Sequence, residues 1–231
     1  MHSEYARLAD EVATLNQNRA SIYRLLSSLY WQEITDEQID RLKSFGTVSL
    51  NFEDENMAEG WADIEAFLAR RNSGTRQELA VDYAHTFLAA GNNEDRMAIP
   101  FESVFVSETG LLMQEPRDEV CKAFYGEHVS PAEDLHAPED HIAFELEFIA
   151  VMSQRCSEAL EADDFQEAAR IIEVQSSFHE EHLANWIDVF CDAVESNCRT
   201  RFYQGIAKLT RGWVKLDGAC IEDMRAAMRA A

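Results

Sequence analysis

The chain has 231 residues, a formal charge of −23 and an apolar fraction of 46% that includes thirteen phenylalanines. That length and apolar content suffice for a buried core and exclude a disordered chain. The charge argues against nucleic acid and anionic membrane surfaces, which need a basic footprint, and is compatible with a cationic peptide partner or simply with a well-solvated acidic surface.

Met1-His2-Ser3-Glu4-Tyr5 lacks the positive region, apolar core and cleavage site of a secretory signal. The pattern is helical almost throughout. Leu8, Val12 and Leu15, then Ile22, Leu25, Leu26, Leu29 and Tyr30, recur at three- and four-residue spacing and predict an amphipathic first helix. Thr35-x-x-Gln38 reads as a capping box opening a short helix that ends near Gly46. A helix around Trp61, Ile64, Phe67 and Leu68 stops near Asn72-Ser73-Gly74, and Thr75-x-x-Glu78 caps the next, which carries Leu79, Tyr83 and Phe87 and ends by Gly91.

All four prolines fall between Pro100 and Pro138. They predict an irregular segment from Gly91 to about Phe105, with Val104–Val106 briefly extended, and then a helix through Leu111, Leu112 and Val120. A connector over 126–137 follows, holding at most one helical turn at Ser130-Pro131. Long helices then cover about 138–161, 164–196, 200–216 and 218–230. The expected fold is all-α, one large helical domain, with the connector as a candidate hinge between halves at 1–125 and 138–231. No apolar run approaches the roughly 18 residues of a membrane span. Five cysteines without C-x-x-C spacing suggest thiols in a reducing compartment, so the cytoplasm is the expected location.

Catalytic fingerprints are missing: the nine glycines form no dinucleotide-binding, P-loop or nucleophile-elbow pattern. His179-Glu180-Glu181-His182 has its histidines three apart, where a zincin needs four, and His182 sits on a stripe with Phe178, Trp186 and Val189 as a packed core histidine would. Glu133-x-x-His136 has di-iron spacing without a second copy. No metal or cofactor is assigned. Asp140, His141 and Glu145 follow Pro138 at a predicted helix start. His141 and Glu145 are then i,i+4 neighbours able to pair, and Asp140 can help cap the first turn. Spacing alone leaves three readings open: a capped helix start with a surface ion pair, a binding site, and general acid/base chemistry.

Several segments together carry a family resemblance. Asp82-Tyr83-x-x-x-Phe87-Leu88, the loop with Pro100, Ser103, Val104 and Phe105, the helix start Pro138-x-Asp140-His141, His182-Leu183-x-x-Trp186 and Phe202-Tyr203…Trp213-Val214 stand in the order seen in the TorD/DmsD/NarJ chaperones. The chain resembles that family over about residues 20–217, closest to the TorD/DmsD type. Ala137 stands where the family usually has glutamate, Thr86 where leucine is common and Ala89 where glycine often follows.

The resemblance implies an all-helical, non-enzymatic cytoplasmic chaperone that binds the twin-arginine signal peptide, or the apo form, of a molybdopterin-containing oxidoreductase and assists cofactor insertion before export. The implied binding residues are Tyr83, Phe87, Pro100, Phe101, Ser103, Phe105, Asp140, His141 and Glu145. Asp140, with Glu145 or Glu102, would meet the arginines, and the aromatics would cover the apolar part. A homodimer formed by helix exchange is a further implication. The alternatives are an assembly chaperone for a nitrate reductase or formate dehydrogenase subunit, a metal-dependent helical hydrolase using Asp140, His141 and Glu145, and a helical adaptor without peptide binding.

Overall fold

A computed structural model of the chain describes residues 2–45, 52, 54–88 and 98–230. Those residues form ten α-helices and one π-helical turn, with no strand among them. The all-α expectation holds.

Local signals explain several helix starts. Helix α1 runs His2–Trp31 and α2 Asp36–Phe45. The Thr35 capping box forms: Gln38 N donates to Thr35 Oγ1 at 3.2 Å, and Thr35 N donates to Gln38 Oε1 at 2.9 Å. Helix α3, Glu55–Leu68, is capped by Asp54, whose side chain accepts from Met57 N at 3.0 Å. Helix α4, Thr75–Phe87, departs from the expected cap. Gly74 occupies the N-cap position, and Thr75 Oγ1 accepts backward from Asn72 N at 2.9 Å. The expected ends at Gly46 and Gly91 lie outside the described residues.

The proline-bounded middle also differs from expectation. Glu102–Val106 is a short helix, α5, rather than an extended segment. Helix α6 spans Glu115–Gly126 with Pro116 in its first turn, so Leu111 and Leu112 precede it in a loop. In the connector, Leu135 N donates to Ala132 O at 2.9 Å to close a single turn.

Helix α7 runs Ile142–Glu161, four residues later than expected, because His141 is its N-cap. Helix α8 covers Phe165–His179, capped by Asp164 at 3.0 Å from Glu167 N. A π-helical turn, Glu180–Ala184, separates it from α9, Ile187–Asn197, where one uninterrupted helix was expected. Conversely, Arg201–Ala230 is a single helix, α10, where a break at 217 was expected. Asp217 and Gly218 are core residues rather than breakers. Asp217 is buried against α1, and a Cβ on Gly218 would lie 2.9 Å from His179 Cε1. The start of α10 is closed by a carboxylate from another helix: Asp82 Oδ1 accepts from Arg199 N at 2.8 Å, while Asp82 Oδ2 accepts from Thr200 N at 2.8 Å and Thr200 Oγ1 at 2.6 Å.

The principal pairings are α1 with α7, α3 with α10 and α7 with α8. The core is aromatic: Phe124, Phe148 and Phe178 pack with centroids 4.4–6.1 Å apart, and Tyr30, Phe87, Phe190 and Tyr203 form a second cluster. The buried face of α1 is Ala9, Val12, Ala13, Asn16, Arg19, Ala20, Tyr23, Leu26, Ser27, Leu29 and Tyr30. Leu15, expected on that face, is exposed. Asn16 and Arg19 take the inner register because a partner awaits them. Arg19 Nε and Nη2 donate to Asp217 at 2.5 and 2.8 Å, Arg19 Nη1 donates to Gln175 Oε1 and Asn16 Oδ1, and Tyr23 OH donates to Asp217 Oδ2 at 2.6 Å. Burial opposes the Arg19 charge, but Asp217 more than compensates, so the guanidinium is held more firmly protonated than in water.

Two stability outcomes are expected. Helices α3 and α10 cross in near-backbone contact at Gly60 and Gly205; a Cβ on Gly60 would lie 2.6 Å from Gly205 O and 2.9 Å from Leu209 N. Gly60→Ala forces those backbones apart and should cost about 1–3 kcal/mol in denaturant unfolding; an unchanged midpoint would contradict the crossing. Asp217→Asn leaves the Arg19 charge buried without its counter-ion and should cost about 3–5 kcal/mol, whereas Arg19→Met with Asp217→Leu should recover most of that loss. A double variant no more stable than Asp217→Asn would show that the pair does not act as a unit.

Candidate functional site

The candidate site is built where the two proline-flanked segments meet. Residues 98–101 and 138–141 run side by side, joined by an isolated antiparallel bridge between Phe101 and His141. Glu102 N donates to Asp140 O, and Ile142 N to Pro100 O, both at 2.9 Å. This pairing aims Asp140 at the mouth of α5, where Asp140 Oδ2 accepts from Ser103 N at 3.0 Å. Asp140 therefore caps a helix, as expected of an acid beside a helix start, but the helix is α5 and not its own.

His141 caps α7. Its backbone is extended (φ −72°, ψ 132°), and Nδ1 accepts from Ala143 N at 3.1 Å, a bond only the neutral imidazole can make. The ring lies among Trp31, Phe101 and Phe144, at centroid distances of 5.4, 4.9 and 5.7 Å. Burial pushes its pKa down to about 3. The expected His141–Glu145 ion pair is absent among the described residues: His141 precedes the first helical turn, its acceptor nitrogen is occupied, and its apolar surroundings disfavour charge.

Glu145 instead faces Trp186. Its Oε2 accepts from Trp186 Nε1 at 3.2 Å, and that indole also donates to His182 O at 2.7 Å. Glu102, in the first turn of α5, accepts from His182 Nδ1 at 3.0 Å and from Asn185 Nδ2 at 2.9 Å. Thus three carboxyls, Glu102, Asp140 and Glu145, converge from two segments, each no more than 1% exposed. Among the described residues, Asp140 Oδ1 and Glu145 Oε1 have no hydrogen-bond partner. Burial, and then the nearby Glu102 and Asp140 charges, raise the Glu145 pKa well above the ordinary carboxylate range. Burial also raises that of Asp140, partly offset by its bonds to Ser103.

The other expected residues extend from this cluster. Phe105 stacks on Trp186 at 5.5 Å and meets Phe190 edge-on at 5.6 Å. Phe87 reaches the site only through Phe190, and Tyr83 lies beyond it, donating its hydroxyl to Tyr30 O at 2.9 Å. Tyr83 and Phe87 are core residues, 3% and 2% exposed; Pro100 and Ser103 are buried, while Phe101 and Phe105 are half-buried. A surface cavity of about 380 Å³ between α6 and α8 has His182 and Phe178 in its lining, so His182 lies between that cavity and Glu102.

Trp186 and Asn185 are the members that sequence reasoning missed. Only the spacing of His182, Asn185 and Trp186 hinted at a shared face, and the π-helical turn alters that face. His182 is the packed, hydrogen-bonded core histidine expected, 4% exposed. Among the described residues no three His, Cys, Asp or Glu side chains are placed to hold a metal ion, and no helix is long and apolar enough to cross a membrane. The five cysteines are free thiols, with Cys156, Cys191 and Cys198 buried.

Comparison with known proteins places the chain in a family. Residues 51–192 match the family model described as nitrate reductase delta subunit. Chaperone protein TorD of Vibrio parahaemolyticus is 30% identical over 215 residues, covering 90% of this chain and 97% of the relative. Those of Vibrio vulnificus and Vibrio cholerae are 29% and 26% identical, covering 91% and 94% of this chain and 97% and 98% of the relatives. With a family model spanning more than half of the sequence and near full-length similarity to these relatives, the chain belongs to the family of TorD-type chaperones.

Proposed function

We propose that this protein is a cytoplasmic maturation chaperone that binds the twin-arginine leader of an apo-molybdoenzyme and holds it until the cofactor is in place. The observation that supports the reading best is the group of three buried carboxyls with two unpartnered oxygens. An arginine presents a planar set of donors suited to paired acceptors, and a guanidinium reaching Asp140 Oδ1 and Glu145 Oε1 would supply the bonds they lack. Because both are covered, entry requires α5 to lift from α7, breaking the Phe101–His141 bridge and the Ser103–Asp140 cap. Five residues of helix are a small unit to displace. The half-buried Phe101 and Phe105 would then be uncovered for an apolar part of the leader.

The near full-length similarity to chaperones named TorD favours a trimethylamine-oxide or dimethyl-sulfoxide reductase as client. The description of the matching family model favours a second reading, in which the client is a nitrate reductase subunit. Leaders or N-terminal segments of the two client classes, titrated side by side, separate them.

Calorimetry of the full chain against a synthetic twin-arginine leader should give micromolar or tighter binding, with a twin-lysine control weaker. Asp140→Asn keeps an oxygen to cap Ser103 but removes the charge, and should weaken binding at least tenfold; equal affinity would remove Asp140 from the site. The reaction should also release a proton. Burial raises the Glu145 pKa in the free protein and an arginine would lower it again, so protons leave in the window between the lowered and the raised value. There affinity should rise with pH, by up to about tenfold per unit for one proton. Binding heats measured in buffers of different ionisation enthalpy check this, and Glu145→Gln should abolish the release. Heats independent of buffer would show that Glu145 does not titrate on binding.

A further inference from the structure

The loop between α5 and α6 carries three consecutive apolar side chains into solvent. Leu111, Leu112 and Met113 are 61%, 42% and 57% exposed, and Val106, at the end of α5, is 44% exposed. The loop is built rather than slack. Gly110 and Met113 both have φ of +63°, a region that side-chain-bearing residues seldom adopt, and Met113 adopts it. Ser107 Oγ accepts from Gly110 N at 3.1 Å, Gln114 Nε2 donates to Leu112 O at 2.9 Å, and Gln114 N donates to Ser103 Oγ at 3.3 Å. Ser103 is the residue whose amide Asp140 holds, so the tip is tied through one side chain to the carboxyl cluster.

Apolar groups that fold inward gain stability; three held outward beside a strained backbone gain none unless something covers them. Their surroundings select what that is. Glu108, Glu115, Asp118 and Glu119 are exposed around the loop in sequence, and the one base between 107 and 119, Arg117, is held by Glu139 at 2.7 Å and lies 3.6 Å from Asp118. An apolar tip among exposed carboxylates that outnumber the bases suits a segment that is itself apolar and flanked by lysine or arginine.

We propose that Val106, Leu111, Leu112 and Met113 form the docking point for the apolar stretch of a cationic client segment. This rests on the chaperone reading above and adds the tip of the α5–α6 loop to Phe101 and Phe105 as an apolar contact, in place of Tyr83 and Phe87, which belong to the core. A leader seated there has its arginines directed toward α5 and the carboxyls beneath it, and its pull on the loop acts on Ser103 and so on the cap that closes the site.

The test uses calorimetry of the full chain with three peptides. One is a twin-arginine leader, the second is the same leader with its apolar stretch replaced by serine and glycine, and the third is a lysine-flanked leucine-alanine segment without the arginine pair. The loop variant is Leu111→Ser/Leu112→Ser/Met113→Ser; being exposed, it should melt with the parent chain. Gly110→Ala, which keeps every apolar side chain but disfavours the φ that presents them, is the second variant. Both should bind the intact leader at least tenfold more weakly and the serine-glycine leader within twofold of the parent. Parental affinity for the intact leader in both variants would overturn the docking point and leave the carboxyl site standing. Failure of the parent to bind either leader, with loop-dependent binding of the lysine-flanked peptide, would remove the arginine reading and keep the docking point. No binding of any peptide by the parent would sink both. Loss of a dimer in sedimentation of the triple variant, with peptide binding unchanged, would assign the tip to contact between copies and overturn the proposal.

Discussion

Two buried aspartates close helices to which they do not belong, and much of the architecture depends on that. Asp82, in α4, takes the first amides of α10, and Asp140, before α7, takes an amide of α5. A helix N-terminus buried without such a partner leaves several amides unbonded in an apolar setting, each at a cost of about 1–3 kcal/mol. The cap on α5 has a second effect. The same backbone pairing that brings Asp140 to Ser103 fixes Glu102 at the first turn of α5, beside Glu145 on α7. Crowding of carboxyls is therefore built into the way this helix begins. Burial and the neighbouring acids raise the Glu145 pKa, which favours its neutral form there.

The contrast between two parts of the interior is instructive. Between α1, α8 and α10, Asp217 receives two donors from Arg19 and one from Tyr23, and the buried acid is complete. Between α5, α7 and the π-helical turn, Asp140 and Glu145 each keep an oxygen without a hydrogen-bond donor among the described residues. The first arrangement holds helices together. The second has the same acid chemistry with no base among the described residues, between a five-residue helix and the His182–Trp186 segment. The difference between a structural carboxylate and one available to a partner lies in the missing donor rather than in the residue type.

The sequence was legible where the decisive contact was local. Thr35 and Gln38 cap each other across three residues, and the helices around Trp61 and Phe148 follow from their own periodicity. It misled where the contact was distant. Nothing near Glu102 signals a helix, because its cap comes from Asp140, 37 residues on. Gly218 reads as a breaker until the His179 ring is placed against it. Asn16 and Arg19 are polar, and only Asp217 and Gln175, arriving from α10 and α8, account for their burial. At the site, Pro138, Asp140 and His141 were recognisable as a helix start, but their division of labour was not. Asp140 serves one helix and His141 another, and Glu145 looks away from both toward an indole on a third element.

The π-helical turn at Glu180–Ala184 sets a constraint of a different kind. An α-helix advances about 100° per residue, and a π turn spends an extra residue on one turn, so everything beyond it is rotated relative to a continuous helix. That rotation brings Trp186 onto Glu145 and Phe105, and Phe190 onto Phe87. Rewinding the turn as α-helix at full length would swing both aromatics by about 100° off their partners. Deleting one residue there, the solvent-facing Glu180 or Glu181 included, would let the turn rewind as α-helix with Trp186 and Phe190 still facing theirs. The segment holds one residue more than its neighbours need, and the π turn is how the helix absorbs it.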